Sequence, residues 1–451
     1  MRAIFLCAPS KAYGEINTLV QLARNISEEG GEIWFLASPL AAEVAVFHFP
    51  GRVFQLTPEL ERNQVVFWRM VKKFRPDMIV LSELYEILRP KRKPDCPLIN
   101  SSWLREVGEI DCALVFVDFI AHVPLLRGIA ECDVCSEHFA NGSLSAFLER
   151  LWVVVPCPLN EPGSVEGRCG IPYQAQRLPL SIEPEARARV RARFLGRSQE
   201  GGALVVRTGS SWQTQLAEQY GVTLYEHLGD LLGAYLGNLP RPVTLVSVSS
   251  RHQISSNGSG LRIHNIANLP PREFDELVLS SDLVISDNEI GYTLAKTVGS
   301  VPSLILKNTF TREEILKREP SHSPVRRIVL EMESRRPDCI YPHKIFPIPA
   351  HEEELTEQLP DVHTGAHDVD LLTTSTLRLG RMLSSPFVKA ELYGGEETRD
   401  LFERLLCDPC SRNTLREQDT AYIERFEKLE TGATVLSRLA IHNSLTAHIA
   451  L

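Results

Sequence analysis

The sequence lacks the features that mark membrane-spanning, secreted or nucleic-acid-binding chains. It has no apolar run of the roughly 18 residues that a membrane span needs, and its apolar opening, residues 1–7, is only about one strand long. That opening has no signal-peptide cleavage pattern. The formal net charge is −9, and the nearest approach to a basic tract is a short proline-bracketed loop at residues 89–94. We therefore expect a cytoplasmic protein without a membrane span and without nucleic acid as a partner.

Several catalytic signatures are also missing. The chain has no phosphate-binding G-x-x-x-x-G-K-[ST] loop, no H-E-x-x-H, no G-x-S-x-G and no G-x-G-x-x-G after its first strand. Its ten cysteines are too scattered for a secreted disulfide scaffold. Two pairs, Cys132/Cys135 and Cys407/Cys410, have C-x-x-C spacing, and His138 follows the first at a metal-like distance. The first pair also fits a strand, so most of these cysteines are expected to be buried thiols.

What the sequence does contain is a repeated alternation of apolar strands with amphipathic helices. At 451 residues, two or three domains are expected. Strands are predicted in the first half at 3–7, 32–37, 53–56, 78–81, 98–100, 113–117 and 151–155, and in the second at 203–207, 243–249, 261–266, 283–285 and 303–306. Strands separated by helices form parallel sheets with right-handed crossovers, so we predict an α/β fold with two Rossmann-like domains.

The predicted domain boundaries follow from changes in composition. The first domain covers 1–155, a Gly/Pro-rich linker covers 156–200, and the second domain covers 201–375. Residues 376–451 form a predicted helical extension, with one helix over 398–406 and another over 415–439. The prolines at 335–349 exclude a long helix there and predict a segment that crosses the surface.

The most informative segment is 281–306, which fits strand, sharp turn, helix and strand. Its turn contains Asp287, Asn288, Glu289, Ile290 and Gly291, and the predicted helix runs over 289–298. In an open parallel sheet, ligands lie outside the carboxyl ends of strands, where a helix N-terminus offers backbone N–H groups to phosphate. A turn followed by a helix is equally an ordinary loop of any α/β protein.

This order of elements resembles the donor-binding segment of GT-B glycosyltransferases. The resemblance implies two Rossmann-like domains that face each other across a cleft, a nucleotide diphosphate sugar as co-substrate, no cofactor and no essential metal. The only D-x-D, at 368–370, lies in a late loop. Many GT-B members have two adjacent glycines in the corner, whereas this chain has only Gly291.

Further donor contacts are predicted where the strands of the second half end. Arg207, Thr208, Gly209, Ser210 and Ser211 form a strand-to-helix turn whose hydroxyl and backbone groups suit phosphate, with Arg207 supplying charge. His264, near the end of another strand, is a candidate for the nucleotide pocket, as are Arg251 and His252. Ordinary polar turn residues are the alternative for the whole group.

Candidate catalytic residues come from the first half. Gly14 and Glu15 follow the first strand, and the run Tyr13-Gly14-Glu15-Ile16 is similar to the aromatic-Gly-Asp-Ile run of protein-arginine rhamnosyltransferases. The resemblance implies that Glu15 is a general base and that Gly14 lies at the donor. Alternatively, Glu15 is a carboxylate in the first turn of a helix. Asp118 and His122, after another strand, form a second candidate pair for proton transfer; Asp118 equally fits a turn cap.

The sequence thus predicts a glycosyltransferase, inverting in stereochemistry, that moves a sugar to a small-molecule, natural-product or peptide acceptor. A sugar-nucleotide epimerase or hydrolase of the same fold remains an alternative, because it needs the same phosphate cradle and no acceptor. A non-catalytic nucleotide-sugar-binding relative is a second alternative, suggested by the missing double glycine. The oligomeric state has no signature in the sequence.

Overall fold

The computed structural model describes residues 1–7, 13–82, 84, 101–119, 143–157, 167–175, 178–179, 181–196, 201–209, 224–249, 253–256, 260–287, 292–307, 310, 312–335 and 387–449. The chain divides into two compact units. The first consists mainly of Met1–Gln176 and Phe426–Leu451, and the second mainly of Arg177–Val369 and Thr376–Arg425. Among the described residues, no helix is both long and apolar enough to cross a membrane.

The first unit contains a parallel sheet of seven strands in the order β3-β2-β1-β4-β5-β6-β7. The strands are β1 Arg2–Cys7, β2 Glu32–Ala37, β3 Val53–Gln55, β4 Met78–Leu81, β5 Ala113–Val117, β6 Leu151–Cys157 and β7 Ile171–Gln174. The central strands read as continuous apolar runs because helices cover both faces of the sheet. Residues 3–7 and 78–81 are accordingly completely buried.

Helices surround this sheet and complete its core. They are α1 Tyr13–Glu28, α2 Pro39–His48, α3 Leu60–Phe74, α4 Ser101–Gly108, α5 Ser143–Arg150 and, from the end of the chain, α14 Gly432–Ile449. Phe67 of α3 and Trp103 of α4 are wholly buried with their rings 5.3 Å apart, edge to face. Gly432 starts α14 against Leu22 and Tyr173, with no room for a Cβ. Burial of the apolar faces of these helices stabilises the unit.

The second unit contains a parallel sheet of six strands in the order β10-β9-β8-β11-β12-β13. The strands are β8 Ala203–Thr208, β9 Val243–Val248, β10 Arg262–Ile266, β11 Leu283–Ser286, β12 Ser303–Lys307 and β13 Val388–Glu391. The described helices are α6 Pro184–Leu195, α7 Leu224–Leu236, α8 Pro271–Ser280, α9 Tyr292–Thr297, α10 Arg312–Arg318, α11 Pro324–Arg335, α12 Gly395–Cys407 and α13 Pro409–Glu424.

The core of the second unit shows why α7 is a helix. Leu228, Leu231, Leu232 and Tyr235 recur at helical spacing and are all buried. The Tyr235 hydroxyl donates to the Leu392 backbone oxygen at 2.7 Å, which ties α7 to the segment after β13. The prediction of an α/β protein with two Rossmann-like sheets is confirmed. So is the strand–helix–strand segment, whose helix α9 is described over 292–297.

The division of the chain differs from the predicted boundaries in three places. The predicted linker, 156–200, contains β7 of the first sheet and α6 of the second unit. The predicted helical extension begins with β13, which pairs with β12. The predicted helix over 415–439 is two helices, because α13 ends at Glu424 and Thr431 caps α14 by accepting from the backbone N–H of Thr434. Its second part, α14, lies in the first unit.

Candidate functional site

The second sheet has a topological switch point between β8 and β11. Strand order runs outward from β8 to β9 and β10 on one side, and from β11 to β12 and β13 on the other. Connections leave the sheet toward opposite faces at such a point, which opens a crevice at the carboxyl ends of the two strands. Thr208 and Gly209 end one of them, and Asp287 follows the other. The predicted donor residues that the structure describes, apart from His264 and Gly14, therefore meet at this edge.

A buried ion pair joins the two strands at the switch point. Arg207 Nη2 lies 3.0 Å from Asp287 Oδ2, and Arg207 Nη1 donates to Ser247 Oγ at 3.2 Å. The side chains of Arg207 and Asp287 are only 1% and 2% exposed. The guanidinium therefore links β8, β9 and the turn after β11. Because its charge is matched by Asp287, it shapes the crevice and is not a free cation for a ligand, which departs from the role expected for it from the sequence.

Gly209 fits closely over this pair. A Cβ at Gly209 would lie 3.2 Å from Arg207 Nη2 and 3.2 Å from Ser249 Oγ, which is tighter than ordinary van der Waals contact. The Gly209 N–H donates to the Val248 backbone oxygen at 3.2 Å, so the turn stays joined to β9. A Cβ here would therefore require the Arg207 guanidinium or the Ser249 side chain to move by a few tenths of an ångström.

The carboxyl edge also carries hydroxyl groups that the sequence analysis missed. Ser247, Ser249 and Ser286 stand at or beside the ends of β9 and β11, next to Thr208 at the end of β8. Ser247 and Ser286 are buried, and Thr208 and Ser249 are half-buried. The sequence pattern that could have identified them is a hydroxyl residue at the end of an otherwise apolar strand. Hydroxyl groups and turn N–H groups can together bind phosphate oxygens.

The helix after the switch point is fixed by a second ion pair. Lys296 Nζ of α9 lies 2.6 and 2.7 Å from the two carboxylate oxygens of Asp275 on α8. Burial raises the pKa of Asp275, and the Lys296 ammonium opposes that rise. Burial, and next the Asp275 carboxylate, raises the pKa of the Tyr292 phenol, which stays protonated. The pair holds the orientation of α9 against the sheet.

His264 is not brought to this edge. It lies in the middle of β10, where its ring packs edge to face against Phe194 of α6 at 5.7 Å. The side chain of its neighbour Asn265 accepts a hydrogen bond from the Ile254 N–H and donates one to the Ile254 backbone oxygen. Other predicted residues lie outside the described part of the chain: Ser210, Ser211, Arg251, His252, Asn288, Glu289, Ile290 and Gly291 in the second unit, and His122, Cys132, Cys135 and His138 in the first.

In the first unit, Gly14 and Glu15 lie in the first turn of α1 and not in a loop. The chain after α1 returns to the amino edge of the sheet, where the strands begin, because the Glu32 N–H at the start of β2 donates to the Met1 oxygen at 2.9 Å. The first turn is therefore at the opposite, carboxyl edge. Glu15 Oε2 is buried and, among the described residues, has no hydrogen-bond partner. A carboxylate in this position is stabilised by the helix dipole.

Asp118 follows β5 at the same edge and is completely buried. Its backbone N–H donates to the Val154 oxygen of β6 at 2.9 Å. Burial raises the pKa of the Cys7 thiol, at the end of β1, so this cysteine is a protonated core residue. The described C-x-x-C pair lies elsewhere: Cys407 ends α12 and Cys410 lies in the first turn of α13, where the Asp408 side chain accepts from the Cys410 N–H at 3.0 Å.

The comparisons with known proteins give a family and a fold. A model for a family of unknown function (DUF6365) matches residues 22–355, well over half of the chain. The chain belongs to this family. No curated protein matches the sequence.

Two solved structures are similar over nearly their whole length. The spinosyn forosaminyltransferase SpnP shares 13% identity at a TM-score of 0.52, with 98% of this chain and 99% of SpnP covered. The glycosyltransferase VinC, solved in complex with dTDP, shares 10% identity at a TM-score of 0.50, with 98% of this chain and 100% of VinC covered. The family member therefore has a GT-B glycosyltransferase-like fold, as the resemblance in the sequence implies.

Proposed function

We propose that the protein is a glycosyltransferase that transfers a sugar from a nucleotide diphosphate sugar to a small-molecule, natural-product or peptide acceptor, without a cofactor or bound metal. The observation that carries this proposal is the switch point of the second sheet, where hydroxyl residues stand at or beside the ends of β8, β9 and β11 around the Arg207–Asp287 pair. Crevices of this kind are the usual ligand sites of open parallel sheets. The GT-B-like fold supports a nucleotide sugar as the ligand.

The arrangement supports binding of the diphosphate by uncharged donors. Thr208 and Ser249 supply hydroxyls and the turn at Gly209 supplies backbone groups, while the Arg207–Asp287 pair holds the strand ends at fixed positions. Preorganised donors stabilise the negative charge that develops on a leaving diphosphate. The positive charge of Arg207 contributes through the shape of the crevice, since Asp287 already balances it.

Glu15 is the proposed general base in an inverting transfer. Its buried, unpartnered oxygen among the described residues suits the removal of a proton from an acceptor hydroxyl or amine as that group attacks the anomeric carbon. The bond to the leaving diphosphate breaks as the new glycosidic bond forms, and the acceptor proton moves to the Glu15 carboxylate. Asp118, which is completely buried, is the second candidate.

Calorimetry with nucleoside diphosphates tests the donor site. The panel includes thymidine diphosphate, the ligand of VinC. Thr208→Val keeps the shape of the side chain and removes one hydroxyl, and a hydrogen bond to a charged acceptor contributes about 1.5–3 kcal/mol, so binding should weaken roughly 10- to 100-fold. The matched control is Thr420→Val, on the exposed side of α13. Equal affinity in wild type and Thr208→Val, or no binding by wild type, would contradict the proposal.

Incubation with donor alone separates the proposed reaction from epimerisation and hydrolysis. Mass spectrometry of mixtures of a donor panel with an acceptor library should show a glycosylated product and free nucleoside diphosphate only when an acceptor is present. Release of nucleoside diphosphate with an epimerised or hydrolysed sugar in the absence of acceptor would instead favour the epimerase or hydrolase alternative.

A further inference from the structure

A cluster of arginines lies at the opposite edge of the second sheet, where the strands begin. Gly201 and Gly202 precede β8, Arg241 precedes β9, and Ser281 and Asp282 precede β11. This amino edge is separate from the carboxyl edge that holds Arg207 and Asp287. It is covered by α6 and α13, and each of these helices contributes two arginines one turn apart: Arg187 and Arg191 from α6, and Arg412 and Arg416 from α13.

The carboxylate of Asp282, at the centre of the cluster, already binds the start of the sheet through one of its oxygens. Asp282 Oδ2 accepts from Arg191 Nη1 at 2.9 Å and from the Leu204 N–H at 2.9 Å, and Arg241 Nη2 lies 3.6 Å away. Arg191 and Arg241 also donate to the Gly202 oxygen. These two arginines therefore hold the amino ends of the strands together, and Asp282 Oδ1 is left facing Arg412.

Three more arginines surround a cavity beside this centre. The cavity has a volume of about 270 Å³ and is lined by Arg187, Arg412 and Arg416 together with Ser281, Asp282 and Asn413. Arg412 Nη1 lies 4.0 Å from Asp282 Oδ1, the limit of an ion pair. Within the described residues, Arg187 and Arg416 have no ion pair. Three guanidinium groups thus line a cavity with one carboxylate, one oxygen of which is already occupied.

Such an excess of charge favours a bound anion. Like charges one helical turn apart destabilise a helix, and two such pairs meet here. Guanidinium groups from separate helices can bind phosphate oxygens in forked pairs, and Ser281 and Asn413 offer further hydrogen bonds. The volume equals roughly nine waters at about 30 Å³ each, which is room for a phosphate or diphosphate but below the size of a typical nucleotide pocket.

We propose that Arg187, Arg412 and Arg416 form an anion site for inorganic phosphate, diphosphate or a small phosphorylated metabolite, distinct from the donor crevice. Binding there links α6 to α13 across the start of the sheet. The anion stabilises the second unit without contact with the reacting groups. This inference does not depend on the proposed glycosyl transfer.

Calorimetric titration of the full chain with inorganic diphosphate, at constant ionic strength set with chloride, tests the site. Wild type should show saturable binding, and Arg187→Ala/Arg416→Ala should weaken it at least tenfold. Both side chains are exposed, so the variant should fold; Arg416→Gln is a milder second variant. The matched control is Arg189→Ala/Arg193→Ala, which also removes two positive charges, both from α6, but from arginines that are paired with Glu276 and Glu273.

Thr208→Val separates this site from the donor crevice. Diphosphate binding that survives Thr208→Val and is lost in Arg187→Ala/Arg416→Ala supports the arginine site. The proposal is overturned if wild type shows no saturable binding or if the control variant loses binding equally. It is also overturned if Thr208→Val abolishes the binding while the arginine variant keeps it, because the diphosphate then occupies the donor crevice.

Discussion

Removal of either partner of the Arg207–Asp287 pair should strongly destabilise the second unit. Both side chains are at most 2% exposed and their charged atoms are 3.0 Å apart. Loss of one partner leaves a buried charge without its counter-ion, which costs about 3–5 kcal/mol, a large part of the roughly 5–15 kcal/mol that stabilises a domain. Asp287→Asn keeps the size of the side chain. It should lower the free energy of unfolding of this unit, measured by urea titration, by about 3–5 kcal/mol.

A double substitution shows whether the charge pair is the cause. Arg207→Met/Asp287→Leu replaces both charges with apolar groups, so neither buried charge is left without its counter-ion, and the loss of the hydrogen bond to Ser247 costs about 1–3 kcal/mol. The double variant should thus be more stable than Asp287→Asn. Circular dichroism during urea titration measures both, and Arg189→Met, an exposed arginine, should change stability by less than about 0.5 kcal/mol. A cost below about 1 kcal/mol for Asp287→Asn would refute the reasoning.

The same pair predicts how Arg207 affects donor binding. Arg207→Lys keeps one charge but loses the fork that reaches Asp287 and Ser247 together. Because Arg207 shapes the crevice, loss of donor affinity in this variant should accompany loss of stability. Weaker donor binding with unchanged stability would show instead that the guanidinium contacts the phosphates directly.

Three further predictions concern single side chains. Burial raises the pKa of Asp419 from 3.8 to about 6 against a hydrogen bond from the Gly299 N–H, so the folded state favours the neutral acid. The resulting cost in the free energy of unfolding is absent below about pH 4 and reaches about 3 kcal/mol above pH 6. Asp419→Asn should therefore raise the free energy of unfolding at pH 7 and leave it unchanged at pH 4. Equal gains at both pH values would contradict this explanation. Glu15→Gln should lower turnover roughly 10²–10⁴-fold with nucleotide binding unchanged, and a larger loss in Asp118→Asn would move the base assignment to Asp118. Gly209→Ala should displace the Arg207 guanidinium and weaken donor binding, as measured by calorimetry, and unchanged affinity would show that the turn can accommodate a Cβ.

The central strands were predictable from the sequence because they are buried on both faces. Runs such as residues 78–81 and 203–206 are continuously apolar, which is typical of buried parallel strands. The short edge strands β7 and β13 have the sequences Ile-Pro-Tyr-Gln and Val-Lys-Ala-Glu and carry no such pattern. Their pairing with a neighbour, and not their composition, makes them strands.

The sequence predicted that the candidate residues lie at strand ends, but it did not predict how their charges are paired. The rule that ligands meet strand ends led to Thr208, Gly209 and Asp287. The sequence separates Arg207 from Asp287 by 80 positions, so it shows two charges near two strand ends and not that they neutralise each other. The sequence shows that His264 is near the end of a strand, but only the fold shows that its ring packs against Phe194 of α6.

Hydrogen exchange measured by mass spectrometry, with and without a nucleoside diphosphate, tests the central claim most directly because it locates the bound ligand. The account predicts slower exchange in peptides that cover the ends of β8 and β11, including residues 207–209 and 286–287, with little change at residues 281–282 on the amino edge. Protection confined to the amino edge, or no protection anywhere in the second unit at saturating nucleotide, would contradict a donor site at the switch point.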